Sequence, residues 1–157
     1  MTRLKALLLT VLALTGLVAA ATPASALPPD FRSGHGIEVR NVMKTTGRTY
    51  VVNVHTNSVD TRALAWRFHD VVITLPSNLD PNLAYPVLYL YHGRAQGPGS
   101  WHDEANIEAV THGYPIITVA ADAGWAGWGT NWVNQSAGVQ QWDRFHLDEL
   151  IPWVDDN

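Results

Sequence analysis

Pro86-Val87-Leu88-Tyr89-Leu90-Tyr91 constrains the fold more than any other stretch of this chain: it is apolar on both faces, short, and cut off at once by His92-Gly93. A strand of that kind belongs in the middle of a parallel sheet covered by helices on both sides. Tyr114 to Ala121 reads as a second buried strand, and Trp101 to His112 between them as a helix, with Ile107 and Val110 three apart and Gly113 placed to end it. A further helix is predicted from Trp142, with Phe145, Leu150, Trp153 and Val154 on roughly one stripe and a bend at Pro152. Upstream, Ile37, Val39 and Val42 stand among polar residues, Lys44-Thr45-Thr46-Gly47 reads as a turn, and Tyr50 to His55 is a β-branched run. Together these form an antiparallel hairpin with one wet face. Val71 to Leu75 adds a strand stopped by Pro76, and Ser77 to Asn82 a turn. Antiparallel strands followed by strand–helix–strand–helix make an α/β sheet with crossovers on its faces.

Length and composition narrow the setting. At 157 residues the chain allows about one domain. Fourteen acidic against ten basic residues exclude a general nucleic-acid binder, which needs a basic surface. Without cysteine there is no disulfide framework and no Cys-based zinc or iron–sulfur site. Seven Trp mean a heavy aromatic core or a binding surface built from rings. Arg3 and Lys5, the apolar run Ala6 to Ala21, and Ala24-Ser25-Ala26 have the pattern of a secretory signal peptide over 1–26. The apolar run falls short of the ~20 residues that a spanning helix needs. The expectation is export, extracellular or into the cell envelope, with no membrane attachment after cleavage. Residues 27–36, opening on Leu27-Pro28-Pro29, form an irregular leader, and 37–157 one domain. The chain stops at Asn157, at the end of a helix, without the returning strand that a crossover helix covers, so the expectation is a fold cut off part-way.

Tyr85-Pro86-Val87-Leu88-Tyr89-Leu90-Tyr91-His92-Gly93 resembles the strand that opens the central sheet in a family of secreted esterases. That family includes esterase D, feruloyl-esterase-like enzymes and the mycolyltransferases. Two further blocks are similar in order and separation: the loop Asp122, Trp125, Trp128, Asn131-Trp132, with Asn131 where the family usually has Asp, and the helix Trp142, Phe145, Glu149, Leu150, Pro152, Trp153. The resemblance covers about Trp66 to Asn157. It implies the amino-terminal part of an α/β-hydrolase fold, incomplete here, in which an antiparallel hairpin leads into a parallel sheet with flanking helices. It also implies ester cleavage by a Ser-His-acid triad through an acyl-enzyme, with no cofactor. Such chemistry needs an activated serine, a base, and donors for the oxyanion. The resemblance puts the first donor on the backbone N–H of Arg94, with Gly93 letting the chain turn so that this amide points into the pocket. His92, where mycolyltransferases carry Asp, leans toward an esterase.

No catalytic residue of the triad is found in the chain. No G-x-S-x-G occurs, and Asn134-Gln135-Ser136-Ala137-Gly138 lacks the first glycine and follows no strand. In the family the nucleophile strand follows the helix that ends this chain, and the acid and base come later. On that order Val87 to Tyr91 is left as an open edge, and Trp142, Phe145 and Trp153 are expected to be partly exposed. His92, Asp122, Trp125, Trp128 and Trp132 are the substrate-pocket candidates, the rings forming an aromatic wall for an acyl or sugar group. No metal site is expected, since His92, His102 and His112 lie ten residues apart without ligand spacing. Asp103, Glu104 and Glu108 read as a solvated helix face. Asn134-Gln135-Ser136 fits a glycosylation sequon. The partner expected is a small-molecule, lipid or carbohydrate ester. Two alternatives stay open: an acyltransferase of the mycolyltransferase type, and a non-catalytic secreted module binding glycan or lipid.

Overall fold

The computed structural model describes residues 29–61, 68–125, 129–136 and 138–157. Strands β1 (Ile37–Lys44) and β2 (Thr49–Thr56) form the predicted antiparallel hairpin, β1 carrying a bulge between Val39 and Asn41. A short strand β3 (Val59–Thr61) leads on, and β4 (Phe68–Thr74) pairs antiparallel with β2. Strand β5 (Val87–Tyr91) and the later β6 (Ile117–Ala121) form the one parallel pair among the described strands. The main sheet runs β1-β2-β4-β6-β5, and β3 joins β7 (Gly138–Gln140) in a separate two-stranded ribbon. The architecture is a mixed α/β sheet: antiparallel strands lead into a parallel pair, and β5 lies outermost among the described strands. Among the described residues β5 pairs on one side only, leaving Leu88 46% and Tyr91 49% exposed.

The crossover between β5 and β6 departs from the expected single helix. Two turns stand there instead, α1 (Ser100–Asp103) and α2 (Ile107–Val110). Asn106 is the cause: it takes a left-handed conformation (φ 49°), and its side chain accepts the Ala109 N–H, capping a new start rather than continuing the old turn. Glu108, read from the sequence as solvated, is engaged. It accepts hydrogen bonds from the Thr46 and Thr49 hydroxyls, and Arg48 donates to its carbonyl, so α2 is tied to the β1–β2 turn.

Residues 142–155 form one continuous helix, α3, built from Trp142–Arg144, a π-helical Phe145–Leu150 and Ile151–Asp155. Pro152 has no N–H to give, and its ring clashes with the carbonyl four residues back in a regular helix. The wider turn just before it, where the Ile151 N–H bonds the His146 carbonyl, absorbs that conflict. The expectation that Trp142, Phe145 and Trp153 would be partly exposed is overturned: they are 2%, 0% and 0% exposed. The reason is that β2, β4 and β6 already supply a full apolar face, with Val52, Val54, Val71, Ile73, Val119 and Ala121 packed beneath α3. Phe31 stacks on Trp153 at 6.0 Å and closes the far side.

Candidate active site at the carboxyl ends of β5 and β6

Ligands of open α/β sheets gather beyond the carboxyl ends of the parallel strands. Here β5 ends at Tyr91 and runs into His92-Gly93, and β6 ends at Ala121 and runs into Asp122. Strand β4 is antiparallel to β6, so its first residues lie at the same end, with Val71 facing Ala121 and the Asp122 N–H bonded to the Asp70 carbonyl at 3.1 Å.

The turn after β5 spends its amides unequally. Gly93 N–H donates to Gln96 Oε1 at 3.0 Å, Ala95 N–H to the Trp125 carbonyl at 3.1 Å, and Gln96 N–H to the Gly93 carbonyl at 3.2 Å. Arg94 N–H makes no hydrogen bond among the described residues. The positive φ of this turn falls on Ala95 (63°). A Cβ on Gly93 would stand 2.6 Å from Gln96 Oε1, the far end of an exposed side chain that closes the turn.

Behind this turn lies a polar cluster centred on Asp122. Its Oδ2 accepts from His69 Nδ1 at 2.8 Å, and its Oδ1 accepts from Gly124 N–H at 2.8 Å and lies 3.5 Å from His92 Nε2. The other nitrogen of His69 faces the Val59 carbonyl at 3.0 Å. Burial alone would raise the Asp122 carboxyl, but His69, His92 and the Gly124 amide hold it well below the usual carboxylate range. His92 is pushed up by Asp122 against the opposing effect of burial. Its Nε2 accepts from Ala123 N–H at 2.9 Å, and its Nδ1 donates to the Gly93 carbonyl at 2.9 Å, a pattern that needs the neutral Nδ1–H tautomer. His146, lowered by burial, donates Nε2–H to the Asp122 carbonyl at 2.9 Å.

Of the sequence-derived pocket candidates, His92 and Asp122 come together, but His92 is enclosed, its side chain 1% exposed, and lines no open surface. Trp125 and Trp132 stand 60% and 38% exposed on the loops beyond β6; Trp128 lies outside the described residues. Ser136 sits exposed in a turn whose N–H bonds Asn134 Oδ1, with no strand before it. His69 and His146 escaped the sequence reading. His69 precedes the apolar run read as β4, and nothing in the sequence marks it. His146 follows Trp142 by four residues, on the stripe of the helix, and that spacing could have shown it. Among the described residues no cluster of three His, Asp or Glu has the arrangement of a metal site. A groove of about 520 Å³ lined by Phe31, Leu83, Tyr85 and Trp153 lies at the opposite end of the sheet, away from this chemistry.

A family model described as "Putative esterase" matches residues 63–157. Two curated proteins of Mycobacterium tuberculosis, Esterase Rv1288 of strain H37Rv and Esterase MT1326 of strain CDC 1551, are each 37% identical over 99 residues, 62% of this chain. The match takes in 22% of each, so the chain spans about a fifth of the length of these relatives. A ferulic acid esterase of known structure aligns over 70% of this chain and 45% of its own, at 20% identity and a TM-score of 0.46. The family model covers more than half of the residues, from before β4 through α3, and on that ground the chain belongs to the esterase family.

Proposed function

We propose that this chain is the oxyanion-loop portion of a secreted serine carboxylic-ester hydrolase, whose nucleophile, acid and base lie on residues beyond it. The observation that carries the reading is the Arg94 amide, which has no partner among the described residues. The N–H groups of Gly93, Ala95 and Gln96 are committed, and an N–H left open at the end of β5 is what a developing oxyanion requires. The exposed rings of Trp125 and Trp132 stand beyond the same end of the sheet and suit the wall of an acyl or sugar pocket. Export is supported by Arg3, Lys5, the apolar run to Ala21 and Ala24-Ser25-Ala26. No G-x-S-x-G stands in the sequence, so no acyl-enzyme forms on this chain alone.

The test compares two proteins. The 157-residue chain releases no p-nitrophenolate from p-nitrophenyl esters above background and takes no serine-directed fluorophosphonate label. A longer product of the same locus, carrying a G-x-S-x-G strand within a few tens of residues after Asn157, does both. Stoichiometric labelling of the short chain, or a longer product without that strand, overturns the proposal.

A further inference from the structure

We infer that Asp122 is a positioning residue of the site, holding His92 so that His92 holds the loop presenting the Arg94 amide. This rests on the oxyanion reading above for its purpose, but on geometry alone for its mechanics. Every polar atom of Asp122 is directed at protein. Its N–H bonds Asp70, its carbonyl takes His146 Nε2–H, Oδ1 takes Gly124 N–H, and Oδ2 takes His69 Nδ1–H. Both carboxylate oxygens are thus engaged by the fold, which sets Asp122 apart from a residue that only lines a pocket.

His92 is the part that Asp122 steadies. The ring spans the gap between the two strand ends, donating to the Gly93 carbonyl after β5 and accepting the Ala123 amide after β6. Fixing Gly93 fixes the turn, because the Gln96 N–H returns to the Gly93 carbonyl and Ala95 N–H is anchored on Trp125. Asp122 sets the Ala123 amide that His92 accepts: its Oδ1 takes the Gly124 N–H and so shapes the Asp122–Gly124 turn, while His69, its side chain 2% exposed, holds Oδ2. His69 is itself anchored on the Val59 carbonyl of β3. The chain of contacts therefore runs from β3 through His69, Asp122, the Ala123 amide and His92 to the Gly93 carbonyl, next to Arg94. Ordered chains of that kind strengthen one another where water is excluded.

The experiment uses ¹⁵N-labelled full chain and the substitution Asp122→Asn, which keeps the volume, removes the charge and turns one acceptor into a donor facing His69. In the wild type, ring-nitrogen spectra should show His92 protonated on Nδ1 alone and His146 on Nε2 alone. In the variant, amide exchange at Ala95 and Ala123 should quicken by about tenfold or more, while Val52 and Val119 in the sheet stay as they were. In the esterase that contains this chain, the variant should lose about 10- to 100-fold in kcat with KM unchanged, less than the ~10²–10³ for deleting an oxyanion donor. A purely structural residue would speed exchange in the sheet as well. Should the wild-type esterase hydrolyse nothing, the functional reading fails while the ring and amide spectra still decide the positioning role. Wild-type His92 protonated on Nε2, or unchanged exchange at Ala95 and Ala123 in the variant, overturns it. If Asp122→Asn does not fold, the wild-type ring spectrum decides by itself.

Discussion

Replacing three glycines by alanine, one at a time, separates the two costs that this fold attaches to a missing Cβ. At Gly124 the backbone is left-handed (φ +70°), and a Cβ would stand 2.6 Å from Trp142 Cζ2 and 3.0 Å from Cε2. The ring cannot retreat: it is 2% exposed, its Nε1–H is bonded to Gln140 Oε1 at 2.9 Å, and it packs edge-on against His69 at 5.3 Å. Gly113 is also left-handed (φ +83°), but nothing lies within 4 Å of its Cβ position; Gly97 has open space and no positive φ. The left-handed conformation costs a residue with Cβ about 1–2 kcal/mol, and overpacking a tight site about 1–3 kcal/mol more. The expected order is Gly97→Ala within about 0.5 kcal/mol of wild type, Gly113→Ala down by about 1–2, and Gly124→Ala down by about 2–5. Urea unfolding at constant m-value reads all three, and in a domain of this size each kcal/mol moves Tm by roughly 3–5 °C. A Gly124→Ala variant no weaker than Gly113→Ala would refute the packing of Trp142 beneath the Asp122 loop.

Acid should act on the same loop. Because the folded-state pKa of Asp122 is depressed, its contribution to stability is complete above about pH 4 and is lost as pH falls further. The stability gap between wild type and Asp122→Asn should therefore be full above about pH 4 and close as pH falls further; a gap independent of pH in denaturant titrations counts against the carboxylate's hydrogen bonds to His69 and Gly124. At the sheet edge, Leu88→Lys should reduce self-association and hydrophobic-dye binding, because a charge on an exposed apolar strand discourages pairing with another chain. A wild-type chain that is already monodisperse and binds no dye would remove the basis for that expectation.

Strand identity was legible where a residue's burial is decided by its own strand. The alternation in β2 and the unbroken apolar run of β6 are local signals, and the structure follows them; β1 and β5 form as strands, but β1 is exposed beyond Val39 and β5, read as a covered central strand, stands at the sheet edge with no residue buried. What was illegible depended on a partner far along the chain. Glu108 looks solvated until Thr49, 59 residues earlier, is brought beside it. His69 looks like an ordinary residue before an apolar strand until Asp122, 53 residues later, arrives at its Nδ1. The break at Asn106 was missed because helical spacing continues through it, and the competing side-chain cap leaves no trace in hydrophobic periodicity. His92 and Asp122 were both singled out, but as surface for a substrate. Their mutual placement, which buries one and commits the other, was set by the register of β5 against β6, where Tyr91 stands opposite Ala121.

The register of β4 against β6, which sets His69 beside Asp122, makes the docking of α3 and the setting of the Asp122 loop a single event. Trp142 and Phe145 pack on the His69 ring at 5.3 and 5.8 Å, and the next residue, His146, bonds the carbonyl of Asp122. The apolar side chains supply the burial that excludes water from the cluster, and the histidines between them supply the polar bonds that a buried carboxylate needs. Neither half is stable alone: a carboxylate enclosed without His69 and Gly124 would be uncompensated, and rings packed over a solvated loop would lack a floor. The π-helical turn is where the two meet, since Phe145 and His146 both lie in it and both face inward, 0% and 2% exposed. Residues chosen for packing on α3 thereby fix polar atoms at the end of β6, and through His92 they reach the one amide of the β5 turn left without a partner among the described residues.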